Sequence, residues 1–196
     1  MINGDLQLPF APSLLWYAEW LSHILEGEEE TVAINAANSR AGGDGRIFAR
    51  CLIDSNISAE GTLLGIPVEG GARKLRNLRP GSRILISGHC DWPHIHLGAL
   101  EATYGKAPYF QSLMPMLREV YDSPSESLFN FNYAIHRALT TFMFEEMTAA
   151  DLREGLSSPR VIERGKEIAA MLHPQFSLID SLMRNGRETL MALAAL

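Results

Sequence analysis

Helix-start signals recur down the second half of the chain: Ser123-Pro124 with Glu126, Thr148 with Asp151, Ser158-Pro159, and Ser177 with Asp180. Each places a small oxygen-bearing residue where orphan amides need an acceptor, with a proline at the first helical position or an acid one turn on. These signals predict helices from 124 to about Met147, from Pro159 to near His173, and from Ser177 to a stop at Asn185-Gly186. Asp91, with Pro93 in the first turn, predicts another, through Lys106.

The first half reads differently. Pro12 and Ser13 open an apolar helix to about Leu25, with Leu15, Trp16, Trp20 and Ile24 on its inner face. Residues 5–10 read as a short extended piece. Residues 30–36 alternate around Val32 and Ile34 and read as a strand. Residues 46–53 and 61–68 read as a strand pair, and 82–87 as a short buried strand. The fold class predicted is α/β: a small mixed sheet from the N-terminal half, helices packed around it, and a mostly helical C-terminal half. The alternative is α+β. With 196 residues the chain fits one domain spanning 1–196.

Charge and cysteine content exclude several classes. The formal net charge is −6 and no basic stripe is present, so a nucleic-acid backbone binder is not expected. The densest basic cluster is Arg73, Lys74, Arg76 and Arg79, read as a solvated loop or one that touches a phosphorylated small molecule. Two cysteines, Cys51 and Cys90, make no disulfide framework. The opening MINGDLQLPFAPSLLW carries no basic region or cleavage site, so no secretory leader is expected. No apolar run reaches ~18 residues, so no membrane span is expected either. A cytoplasmic setting follows.

Chemistry concentrates in residues 88–110, with three of the six histidines. On a helix from Asp91, Trp92, His96, Ala99, Leu100 and Thr103 share one face, and His94 points away. His96 is then either a core histidine with a hydrogen-bond partner or a pocket general base. A metal site at His89, Cys90, Asp91, His94 and His96 is not expected, because a histidine pair two apart diverges on a helix. Cys90 would need a base beside it to act as a nucleophile. Gly42, Gly43 and Gly45 around Asp44 lack phosphate-loop spacing and read as a turn. Asp180 and Asp151 read as capping residues, and Asn132, on an apolar helix face, as a satisfied core amide.

These residues resemble the WbqC-like family. The resemblance runs through Pro9, Pro12, Trp16 and Tyr17, then IFARC (47–51) in place of a tyrosine–arginine–asparagine–arginine run, then Ile66-Pro67-Val68. Its most specific part is Trp92, His96, Tyr104, Lys106, Pro108, Tyr109 and Phe110. DLR (151–153) and FSLIDSLMRNG (176–186) continue it. The chain departs from the pattern at Asp44, Gly45 and Ala49, where the family often carries lysine, glutamine and asparagine; Arg50 is kept.

The resemblance implies a protein of bacterial O-antigen or other surface-polysaccharide clusters. It implies N-acyl or aminoacyl transfer to a nucleotide-linked amino sugar, without cofactor or metal. On that reading His96 is the catalytic base, and Arg50, Trp92, Tyr104 and Lys106 bind substrate. The alternative is a non-catalytic binding or scaffold protein with a partly lost site. The expected partner is a small molecule such as a nucleotide sugar. The apolar end ETLMALAAL is compatible with a homodimer.

Overall fold

The computed structural model describes residues 6–41, 45–79, 82–144 and 147–196. Asp44 lies outside them. Leu6–Phe10 crosses the molecule as an irregular segment and leads into α1 (Leu14–Glu26). Ser13 caps α1 by accepting the Trp16 amide, and Gly27, left-handed at φ +90°, ends it. Trp16, Tyr17, Trp20 and Leu21 are buried, whereas Leu15, expected inside, is half exposed.

Residues 30–36 are not a strand. They begin α2 (Glu30–Ala41), which packs along α1. The alternation of Val32 and Ile34 is too short to decide. Ala33, Ile34 and Ala37 repeat at helical spacing and are buried, while Val32 is half exposed. Alanine-rich composition favours the helix as well.

The strand pair forms within narrower bounds. Arg46–Phe48 is a single 3-10 turn, followed by β1 (Arg50–Ile53) and β2 (Thr62–Gly65), antiparallel with Arg50 opposite Gly65 and Ile53 opposite Thr62. Next comes α3 (Gly71–Arg76). Residues 82–87 form no ladder strand. Leu85 and Ile86 make single bridges to Ser127 and Val68, so the segment is a strap across the core with Ile84 buried beneath it.

α4 (Trp92–Tyr104) starts as expected, with the Asp91 side chain accepting the His94 amide. α5 (Phe110–Asp122) follows. Its buried residues Phe110, Leu113, Met114, Leu117 and Tyr121 keep helical spacing despite Pro115. α6 (Leu128–Phe144) begins later than Ser123-Pro124 predicts. The backbone there is committed to the strap: Ile86 N donates to Glu126 O and Leu128 N to Ile84 O. α7 (Ala149–Leu156) carries the Thr148–Asp151 capping box. α8 (Pro159–Met171), α9 (Leu178–Asn185) and α10 (Thr189–Leu193) complete the chain.

This is the helix-and-strand architecture expected, with the sheet reduced to one hairpin in the N-terminal half. Side chains from Leu8 to Leu193 share one core. Buried Asn132 of α6 donates to Leu8 O (2.7 Å) and Phe48 O (2.8 Å), joining the N-terminal segment and the 3-10 turn to that core. Among the described residues no helix is long and apolar enough to cross a membrane.

α8 and α10 touch through backbone. A Cβ on Gly165 would lie 2.2 Å from Met191 O. Gly165→Ala is expected to lower stability by about 1–3 kcal/mol, read from the urea midpoint at unchanged m-value. A neutral substitution would contradict this packing.

Candidate functional site

Two segments far apart in sequence build the cavity that Arg50 lines. Phe10 N donates to Ile47 O (3.0 Å), which lays the N-terminal segment against the 3-10 turn. Between them and β1 is a cavity of about 370 Å³, walled by Pro9, Pro12, Trp16, Ile47 and Leu63, with Ser13, Arg46, Arg50 and Gln175 as polar members. Trp16 is held by its indole N–H, which donates to Asn38 Oδ1 (3.0 Å), and Asn38 donates in turn to Gln7 O (2.7 Å). Arg50 opens β1 with its stem beside Gly65, where no side chain obstructs it. Arg50 is exposed and has no ion-pair partner among the described residues. A second cavity, of about 600 Å³, runs along α1 and shares Ser13, Trp16, Ala41 and Ile47 with the first.

His96 faces inward, as the helix wheel requires, at 2% exposure, and His94 faces out. The ring lies over Phe10 (centroids 5.6 Å apart) with Trp92 edge-on at 5.2 Å. Nε2 is 3.2 Å from Gly65 O and Nδ1 3.1 Å from the Tyr121 hydroxyl. A carbonyl only accepts, so Nε2 carries the proton and Nδ1 accepts from Tyr121. Burial lowers the His96 pKa to about 4, against a smaller opposing effect of the Gly65 carbonyl. The ring is neutral at pH 7, with both nitrogens engaged.

Tyr104 and Lys106 belong to a third place. The buried Tyr104 hydroxyl donates to Asp180 Oδ1 (2.9 Å) and accepts from Asp54 N (3.1 Å). Arg184 Nε donates to the same Asp180 oxygen (3.1 Å), its head group pairs with the Asp54 carboxylate, and it lies over the Tyr104 ring. Asp180 therefore anchors Tyr104 and Arg184, while Ser177 alone caps α9 through the Ile179 amide. Capping spacing had concealed this role. The visible signal was Arg184 four residues after Asp180, one helical turn away. Lys106 borders a cleft of about 730 Å³ with Asn56, Glu101, Thr103 and Arg184.

The five residues singled out from the sequence thus fall in three places. Trp92 and His96 meet in the core, Tyr104 is buried beneath Arg184 while Lys106 borders the third cleft, and Arg50 opens on the first cavity. Arg50, His96 and Lys106 do not converge on any of these cavities. Gly65 links the His96 pair to the Arg50 cavity: it pairs with Arg50 in the ladder and its carbonyl holds His96. Cys51 is buried, which pushes its thiol pKa up, and Cys90 is exposed. Among the described residues, the set of three side chains close enough to hold a metal is His23, Glu26 and Glu28 at the end of α1.

The depressed His96 pKa has a consequence for stability. Below about pH 6.5 the unfolded chain takes a proton that the folded chain refuses until about pH 4, so stability present at neutral pH is lost as pH falls through that window. Between pH 7 and pH 5 this ring alone removes on the order of 2 kcal/mol. His96→Gln is expected to be less stable at pH 7 yet to decline less steeply toward pH 5, measured by urea unfolding at both. Parallel declines would contradict the assignment.

The WbqC-like protein family model matches residues 46–171. The match contains Arg50, Trp92, His96, Tyr104 and Lys106. Pro9, Pro12, Trp16, Asp180 and Arg184 lie outside it. No curated protein and no solved structure matches the chain. With more than half of its residues matched, the chain belongs to the WbqC-like protein family.

Proposed function

We propose that this protein acts in surface-polysaccharide biosynthesis by binding a phosphate- or carboxylate-bearing sugar in the Arg50 cavity. The observation that carries the reading is an exposed guanidinium, free of carboxylate partners, on a cavity walled by Trp16 and two prolines. A sugar ring has apolar C–H faces that suit such walls, and hydroxyls that suit the amide of Gln175. The planar fork of an arginine matches phosphate or carboxylate oxygens two at a time. The volume, about 370 Å³, falls at the small end of ligand sites. It takes a sugar, and the adjoining cavity along α1 leaves room for the nucleotide of a nucleotide-linked one.

The reaction proposed on that substrate is N-acyl or aminoacyl transfer to an amino sugar. The amine attacks the acyl carbon, the donor's leaving group departs, and one proton leaves the nitrogen. The cavity contributes anion binding and orientation. His96 takes no part in moving that proton while both its nitrogens are held. A second reading, a binding protein without turnover, is favoured by that sealed ring and by Ala49, buried where the family often carries asparagine.

Titration calorimetry with a UDP-linked amino sugar tests the site. Arg50→Ala is expected to weaken binding about 10–100-fold, the worth of one or two hydrogen bonds to a charged group. Arg50→Lys should recover part of the loss, and Lys106→Ala should leave the affinity unchanged. Loss of binding in Lys106→Ala with retention in Arg50→Ala would move the site to the other cleft and overturn the proposal. Acyl transfer by the purified protein separates the enzyme from the binding reading.

A further inference from the structure

Residues 70–90 hold Arg73, Lys74, Arg76, Arg79 and Arg83 and no carboxylate, in a chain of formal net charge −6. In α3 only Leu75 is buried, and all five cations are exposed. None has an ion-pair partner among the described residues. Elsewhere exposed cations are commonly paired: Arg40 with Glu19, Arg118 with Glu101, Lys166 with Glu163 and Arg164 with Glu188. Unpaired like charges repel one another, so their gathering on one short stretch calls for an external anion.

The patch is held in place. Gly45, at φ +80°, lies so close to α3 that a Cβ there would be 2.1 Å from Leu75 O, which seats the helix on the 3-10 turn Arg46–Phe48. That turn also lines the Arg50 cavity. Residues 69–90 include no Phe, Tyr or Trp, so the patch lacks the stacking platform of a single-stranded nucleic-acid site. Its cations are strung over eleven positions, from 73 to 83.

We propose that this face docks the protein on a membrane surface of anionic phospholipids. A bilayer surface offers many phosphates to a cluster of unpaired cations, and clusters of about four to eight Lys and Arg are the range in which such attraction holds a protein at a bilayer. The attachment is peripheral, since no described helix crosses a membrane. The inference does not depend on what the cavity binds.

Co-sedimentation of the full chain with vesicles tests it. The protein is expected to sediment with a phosphatidylglycerol–phosphatidylcholine mixture, to stay in solution with phosphatidylcholine alone, and to be released by salt. Replacing Arg73, Lys74 and Arg76 together by glutamine should lower the vesicle partition coefficient roughly 100-fold, with circular dichroism and melting temperature unchanged. Equal sedimentation of wild type and variant would overturn the proposal. So would failure of the wild type to bind anionic vesicles, or tighter retention by a single-stranded RNA than by the vesicles.

Discussion

The carboxamide of Asn132 is the interaction on which the candidate site rests. It sits fully buried in an otherwise apolar face of α6, where an unpaired amide costs on the order of 1–3 kcal/mol. Its amino group donates to Leu8 O and Phe48 O, two carbonyls forty residues apart in the chain, while its Oδ1 is buried without a partner among the described residues. Each is next in sequence to a residue that lines the Arg50 cavity, Pro9 and Ile47. The bond from Phe10 N to Ile47 O closes the walls on each other. An aliphatic residue at 132 would satisfy the packing and leave both carbonyls dry.

Buried polar groups elsewhere serve the same structural purpose. Tyr17 of α1 lies 3.0 Å from His136 Nδ1 of α6, and burial raises the phenol's pKa, so the hydroxyl stays protonated and donates. Glu30 Oε1 of α2 lies 3.3 Å from His136 Nε2, off the direction of a good hydrogen bond but close enough to hold its own carboxyl below the usual range. His96 joins α4, α5 and β2 in the same manner through Tyr121 and Gly65. The imidazoles with inward-facing rings are struts. On the reading proposed above, anion binding falls to the Arg50 guanidinium at the start of β1, which keeps its charge at any physiological pH.

Local signals in the sequence carried much of this. Ser13, Asp91, Thr148 with Asp151, and Ser177 sit at helix starts because capping needs only neighbouring backbone. The failures occur where distant contacts override such signals. Ser123-Pro124 is a sound start, but Glu126 and Leu128 are bonded to the strap at Ile84–Ile86. Val32 and Ile34 alternate, but a neighbouring helix was available to cover Ala33 and Ala37. The orientation of His96 was legible from one helix wheel. Its sealing was not, because Phe10, Gly65 and Tyr121 come from three other parts of the chain. Asp180 was hidden by its own good capping position.

The place where a sugar's anion settles decides between the Arg50 cavity and the Lys106 cleft. A crystal of the protein soaked with a UDP-linked amino sugar would show it. Density between the Trp16 wall and the Arg50 guanidinium, with the His96 ring unmoved on Gly65, is the predicted result. Density beside Lys106, or a His96 ring swung out of the core to meet the ligand, would contradict it.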